Sequence, residues 1–241
     1  MSECPPSRRR LRATAFASVT LWLCAACDGG ASVDANRSGQ EPASAAAPLA
    51  DGVALEVGGV ALLVSQIEAL ADTLALVHPE QTRPALLRRV LVDVCLPRIA
   101  LARVHAQERE RALAAAELAV VELRAGRSQN LPATLVSPFA ELDIPLQTAL
   151  RGAPAGAIVG PVESALGTFS VALVKTPFDA ERGPLQEVVV DGWTFSYLDP
   201  SDEAGLNAGH AALDGLGVRF ASDAWRDLVP LTVQTRLGLK Q

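Results

Sequence analysis

The side chains that could do chemistry in this chain are few and far apart. His78, His105 and His210 are its three histidines, and none has a second histidine at metal-ligand spacing, so no metal site is expected. Cys24 and Cys27 form a C-A-A-C sequence, the spacing of a dithiol redox pair. That chemistry needs a strand before the motif and a helix after it, and neither pattern is present here. The G-x-S-x-G turn of acyl transfer and the glycine-lysine loop that cradles phosphates are both missing. No catalytic residue and no cofactor are expected.

The C-A-A-C sequence has a better reading in what precedes it. Arg8, Arg9, Arg10 and Arg12 are followed by the apolar run from Ala13 to Ala26. A basic start and a short apolar stretch ending in small residues make an export signal, shorter than the roughly 20 residues of a membrane-spanning helix. Cys27 behind Ala25-Ala26 resembles the bacterial lipobox, with Cys24 standing where leucine is preferred. The expectation is a lipoprotein signal peptide over 1–26 and lipid attachment at Cys27. Asp28 resembles an inner-membrane retention signal, which implies an exported protein anchored to that membrane and facing the periplasm.

Removal of such a signal takes away four of 21 basic and one of 27 acidic residues, moving the formal charge from −6 to −9. So acidic a chain is not built for nucleic acid or for anionic lipid. Cys95 is then the one other thiol left, and its apolar helical surroundings mark it as a small buried hydrophobe. Residues 27–50 are small, polar and aperiodic, a flexible tether. About 190 residues remain, enough for one medium or two small domains.

The first folded segment is expected over 51–126. Val53–Val57 and Val60–Leu62 flank Gly58-Gly59 as a hairpin, and Ser65 with Glu68 has the pattern of a capping box at a helix start. A second helix opens at Thr82-Arg83-Pro84, and Pro97 is expected to kink or break it. An amphipathic helix follows to Arg124. The charges from Arg103 to Arg111 are read as its solvated face.

The second segment, 131–241, centres on Pro145 to Lys175. It reads as a short helix stopped by Gly152, Pro154 and Gly156, then two antiparallel strands at 157–163 and 168–175, with a third over 187–197 alongside. Ile158, Val162, Phe169 and Val171 are expected to face a core or groove. Acids at Asp202 and Glu203 start another helix, and a last helix carrying Trp225, Leu228, Val229 and Val233 closes the core.

Gly156, Ile158, Pro161, Val162 and Gly167 match a G-x-[IV]-x-x-P-[VF] strand followed by a glycine-led strand. This resembles the closing third of parvulin-type peptidyl-prolyl isomerases, the family of the SurA/PrsA folding factors. Val57-Gly58-Gly59 with Val60 and Leu62 is similar to the opening of the helical N-terminal domain of those factors. Gly217-Val218-Arg219-Phe220-Ala221 resembles a stretch near the start of parvulin domains. That implies either a truncated domain or one with first-half elements placed after second-half elements. The resemblance implies an α+β fold, an N-terminal helical SurA-N-like domain followed by a small antiparallel-sheet parvulin-like domain. It also implies a substrate groove at Phe139, Leu142, Leu146, Phe169 and Val171. Phe169 stands where the family has an active-site histidine, and a phenyl ring cannot donate or accept a hydrogen bond at its edge. Three functions compete: a lipid-anchored folding factor that binds unfolded or extended polypeptide without strong catalysis, an accessory lipoprotein for one dedicated partner, and an active divergent isomerase. An apolar groove between helical part and sheet favours the first and third.

Overall fold

Two antiparallel sheets organise the molecule, and a single helix system spans the distance between them. The computed structural model describes residues 49–127, 132–199 and 203–239, all within one compact unit. Residues 1–48 lie outside the described part, and with them the signal peptide, Cys27, Asp28 and nearly all of the tether. Among the described residues no helix is long and apolar enough to cross a membrane.

The first sheet has three strands: β1 (Val53–Val57), β2 (Val60–Leu63) and β7 (Val218–Phe220), with β1 in the middle. Gly58 and Gly59 both hold positive φ, +56° and +85°, the conformation a two-residue hairpin turn demands. β2 is an edge strand. Helix α1 (Val64–Val77) follows at once and buries Ile67, Leu70 and Leu74. The expected capping box does not form: Leu63 is the N-cap and no side chain caps the helix. Glu68 instead pairs with Arg83, which also reaches Asp72 at 2.8 Å.

Helix α2 (Arg83–Arg89) runs through a π-helical turn (Val90–Cys95) straight into α3 (Leu96–Val104). Pro97 therefore does not break the helix. The wider turn ahead of it carries the bond from the Leu96 amide back to Leu91, and the proline sits in the first turn of α3 where its missing donor costs least. The interruption falls later, at His105, whose backbone leaves helical geometry before α4 (Ala106–Arg124) begins.

The second sheet has the order β3-β6-β5-β4, all antiparallel, from β3 (Ala133–Pro138), β4 (Ile158–Glu163), β5 (Thr168–Thr176) and β6 (Glu187–Ser196). The expected pairing of 157–163 with 168–175, and of 187–197 beside them, is what is found. Strand alternation sends Phe169 and Val171 to one face and Ala172 and Val174 to the other. Helix α4 lies on the first face with Ala112, Ala116 and Val120. Helix α5 (Ile144–Leu150) lies on the second with Leu146 and Leu150.

The fold is mixed α and β with antiparallel sheets, as expected, but the core does not divide near residue 130. After β6 the chain forms α6 (Glu203–Ala211) and returns to the first sheet. β7 bonds to β1, and Leu213, Val229 and Leu237 are buried with Leu55, Val90 and Leu91. Helices α7 (Asp223–Leu228) and α8 (Leu231–Arg236) close that core rather than the core of the second sheet. The reason is the free edge of β1. Without β7 its amide and carbonyl groups on that side would lack ladder partners.

Candidate functional site

One residue shift decides which side chain of β4 reaches the α4 face. Ile158 and Val159 pair with Leu173 and Ala172, whereas Val162 and Glu163 pair with Ser170 and Phe169, so a bulge inserts one residue between them. Gly160 occupies it with φ +113°, and a Cβ there would lie 2.5 Å from the Ser170 carbonyl oxygen. Without the bulge the alternation would put Val162 on the face of Phe169 and turn Glu163 away. Val162 was the expected member of that face; Glu163 takes its place because of the bulge.

Glu163 is buried, and four contacts hold it. Arg109 of α4 grips it with two nitrogens, Nε at 2.7 Å and an η-nitrogen at 2.9 Å. Arg98 of α3 donates at 3.3 Å, and the Tyr197 hydroxyl donates at 3.0 Å. Burial alone pushes the Glu163 carboxyl up, but the Arg109 hydrogen bonds, the Arg98 charge and the Tyr197 hydroxyl outweigh it and hold the group below the usual carboxylate range. Burial and the adjacent carboxylate push the Tyr197 phenol up, so it stays a donor. The Arg109 guanidinium also stands over the Phe169 ring, 5.5 Å from its centroid, and Tyr197 lies tilted against that ring at 5.8 Å. Phe169 is thus the floor of a buried ion cluster.

The five expected groove residues do not come together. Phe139, Leu142 and Leu146 are buried under α5, and Phe169 and Val171 under α4, on opposite faces of the sheet. All five are core, because both faces are covered by the chain's own helices and none is left to form an open wall.

A cleft does exist elsewhere. It has a volume of about 720 Å³ and lies between the β1–β2 hairpin with α1 and α3 on one side and α5 on the other, with Glu163 its one lining residue from the second sheet. The β1–β2 hairpin contributes Val57, Val60 and Leu62, and α1 contributes Ile67 and Leu70. Ile99 comes from α3, with Pro145, Thr148 and Ala149 from α5 on the far side. Arg98, Arg103, Arg109 and Glu163 also line it. The walls are mostly apolar and the charge is positive, in a chain whose net charge is −6. The size suits a ligand of modest length.

Sequence reasoning passed over Glu163, Arg98 and Arg109. The charge run containing Arg109 looked like a solvated helix face, and two of its arginines turn into the cleft instead. One signal was available: Glu163 is the only charged residue between Arg151 and Lys175, inside an apolar stretch. Charge in such a place is buried with a partner or at a site.

His105 sits at the α3–α4 junction with its Nε2 buried and without a hydrogen-bond partner. Among the described residues no group of three His, Cys, Asp or Glu side chains could hold a metal ion. Cys95 is free and buried, and burial pushes its thiol up to about 11, against the lowering effect of Arg98. It remains a neutral thiol. No protein-family model matches the sequence, and no curated protein or solved structure is similar to it at a significant level.

Proposed function

We propose that this protein is a binding factor for unfolded or extended polypeptide, of parvulin ancestry, tethered to the envelope membrane by a lipid on Cys27 and without isomerase turnover. The observation that carries the reading is the cleft between the β1–β2 hairpin and the helices α1, α3 and α5. Its apolar walls are what an extended apolar segment needs, and such surface is uncommon without a ligand.

Loss of turnover follows from chemistry. Twisting a prolyl amide requires polar groups that favour the twisted form over a barrier near 20 kcal/mol. At the position of the family's histidine stands Phe169, buried beneath Arg109, with Phe195 as its cross-strand partner. Neither ring can supply a hydrogen bond. The test is a pair of assays on the full-length lipoprotein in detergent. Suppression of aggregation of an unfolded client at near-equimolar ratio, with no acceleration of proline isomerisation in a short peptide, is the expected result. Robust isomerase turnover, or no effect on aggregation, would overturn the reading.

A further inference from the structure

The cleft holds more positive charge than the chain uses. Glu163 occupies both hydrogen-bonding edges of Arg109 that face it but takes only one nitrogen of Arg98, whose Nε is buried with no acceptor. Arg103, five residues further along α3, lines the same cleft and has no ion-pair partner among the described residues. Three guanidinium groups and one carboxylate thus line walls that are mostly apolar but also carry Gln66 and Thr148, and the Arg98 charge acts on the Asp143 carboxyl as well.

A second feature of the cleft specifies the shape of its ligand. β2 contributes Val60, Ala61 and Leu62 to the lining and is the edge strand of its sheet, with no strand on its outer side among the described residues. An edge strand offers unpaired backbone groups to a passing chain, which then adds as a further strand. A segment bound in this way presents alternate side chains to the cleft, and its ends continue past it.

Resting on the reading that the cleft binds extended polypeptide, we infer that its preferred client segment is apolar with an internal acidic side chain. That carboxylate accepts hydrogen bonds from Arg103 while the flanking backbone pairs with β2. The segment is selected by charge as well as by apolarity, since an apolar segment without the acid would leave the Arg103 guanidinium unpaired in the occupied cleft.

The experiment compares two short fluorescent peptides of alternating valine and threonine, amidated at the C-terminus, with a central glutamate or a central glutamine. Both are titrated into the full-length protein in detergent. Binding of the glutamate peptide about tenfold to a hundredfold tighter is expected, the range for hydrogen bonds to a charged group. Arg103→Ala, at an exposed position, should remove that preference with an unchanged melting temperature. N-methylation of the peptide backbone should weaken both peptides alike. Equal affinity of the two peptides, or a preference that survives Arg103→Ala, overturns the inference and leaves polypeptide binding standing. Binding of neither peptide overturns both.

Discussion

Under α5 the second sheet packs a cluster of aliphatic and aromatic side chains, whereas under α4 the Glu163 carboxylate of β4 and the Tyr197 phenol, one residue past β6, meet two guanidinium groups. The α5 face holds Phe139, Leu142, Leu146, Leu150, Val174 and Val190, with Phe139 stacked on Phe178 at 3.7 Å. Its stability is mainly that of apolar burial, and its titrating neighbour is Asp143 at the start of α5, whose carboxyl burial pushes up to about 6 against the lowering effect of Arg98. The α4 face combines Val171 and Trp193 with the Glu163 cluster, and it borders the cleft. A buried ion cluster is an uncertain gain over apolar packing, since desolvation offsets much of the attraction, yet removing one member leaves the others unpaired. The charge lies on the face whose Glu163 and Arg109 line the cleft, and the other face is filled mainly with apolar side chains.

The largest effect should come from a charge placed where the α4 face has none to spare. Val171 is fully buried, so Val171→Asp adds an unpartnered carboxylate and should exceed the whole stability of a domain of this size. The expected product is an insoluble or non-cooperatively folded protein. A soluble variant with an unchanged melting curve would show that this strand is not core.

Next is Glu163→Ala, which strands Arg109, Arg98 and the Tyr197 hydroxyl together. A loss of about 3–5 kcal/mol in denaturant unfolding is expected. Leu150→Ala on the opposite face should cost about 2–5 kcal/mol through a cavity, and its cost should not vary with pH. If the two variants respond identically to pH, the contrast between the faces fails.

The pH dependence has a definite sign. The Glu163 carboxyl titrates lower in the folded protein than in the unfolded chain. Its contribution is therefore complete above the unfolded value of about 4.3 and is lost as pH falls through the lower, folded one. Wild type should lose more stability across that acid range than Glu163→Gln does, read as the difference between two melting series. The smallest effect belongs to the surface: Arg89 and Asp93 are exposed at 3.6 Å, and Arg89→Ala should change stability by less than about 1 kcal/mol.

How much of this was legible follows from the range of each signal. The β1–β2 hairpin and strands β4, β5 and β6 were readable, because alternation and turn glycines act over a few residues. Pro97 misled because the helix could widen into a π turn ahead of it. Glu163 was hidden by a single bulge residue, Gly160, which reverses the face of everything after it on β4. The return of β7 to β1 joins Val218 to Val57, a pairing that no local pattern encodes. The groove expected from Phe139, Leu142, Leu146, Phe169 and Val171 failed for a related reason. Local pattern marks these residues as apolar but cannot say that helices of the same chain cover both faces.

The account rests on the cleft as the place where polypeptide binds, and filling it is the direct test. Ala149 lines the cleft from α5 and is half-buried, so Ala149→Trp can occupy it while the ion cluster stays intact. Titration of full-length wild type and Ala149→Trp with a labelled extended apolar peptide should give saturable one-to-one binding for the first. For the second, binding should be lost at an unchanged melting temperature. Equal binding by both proteins, or none by wild type, would contradict it.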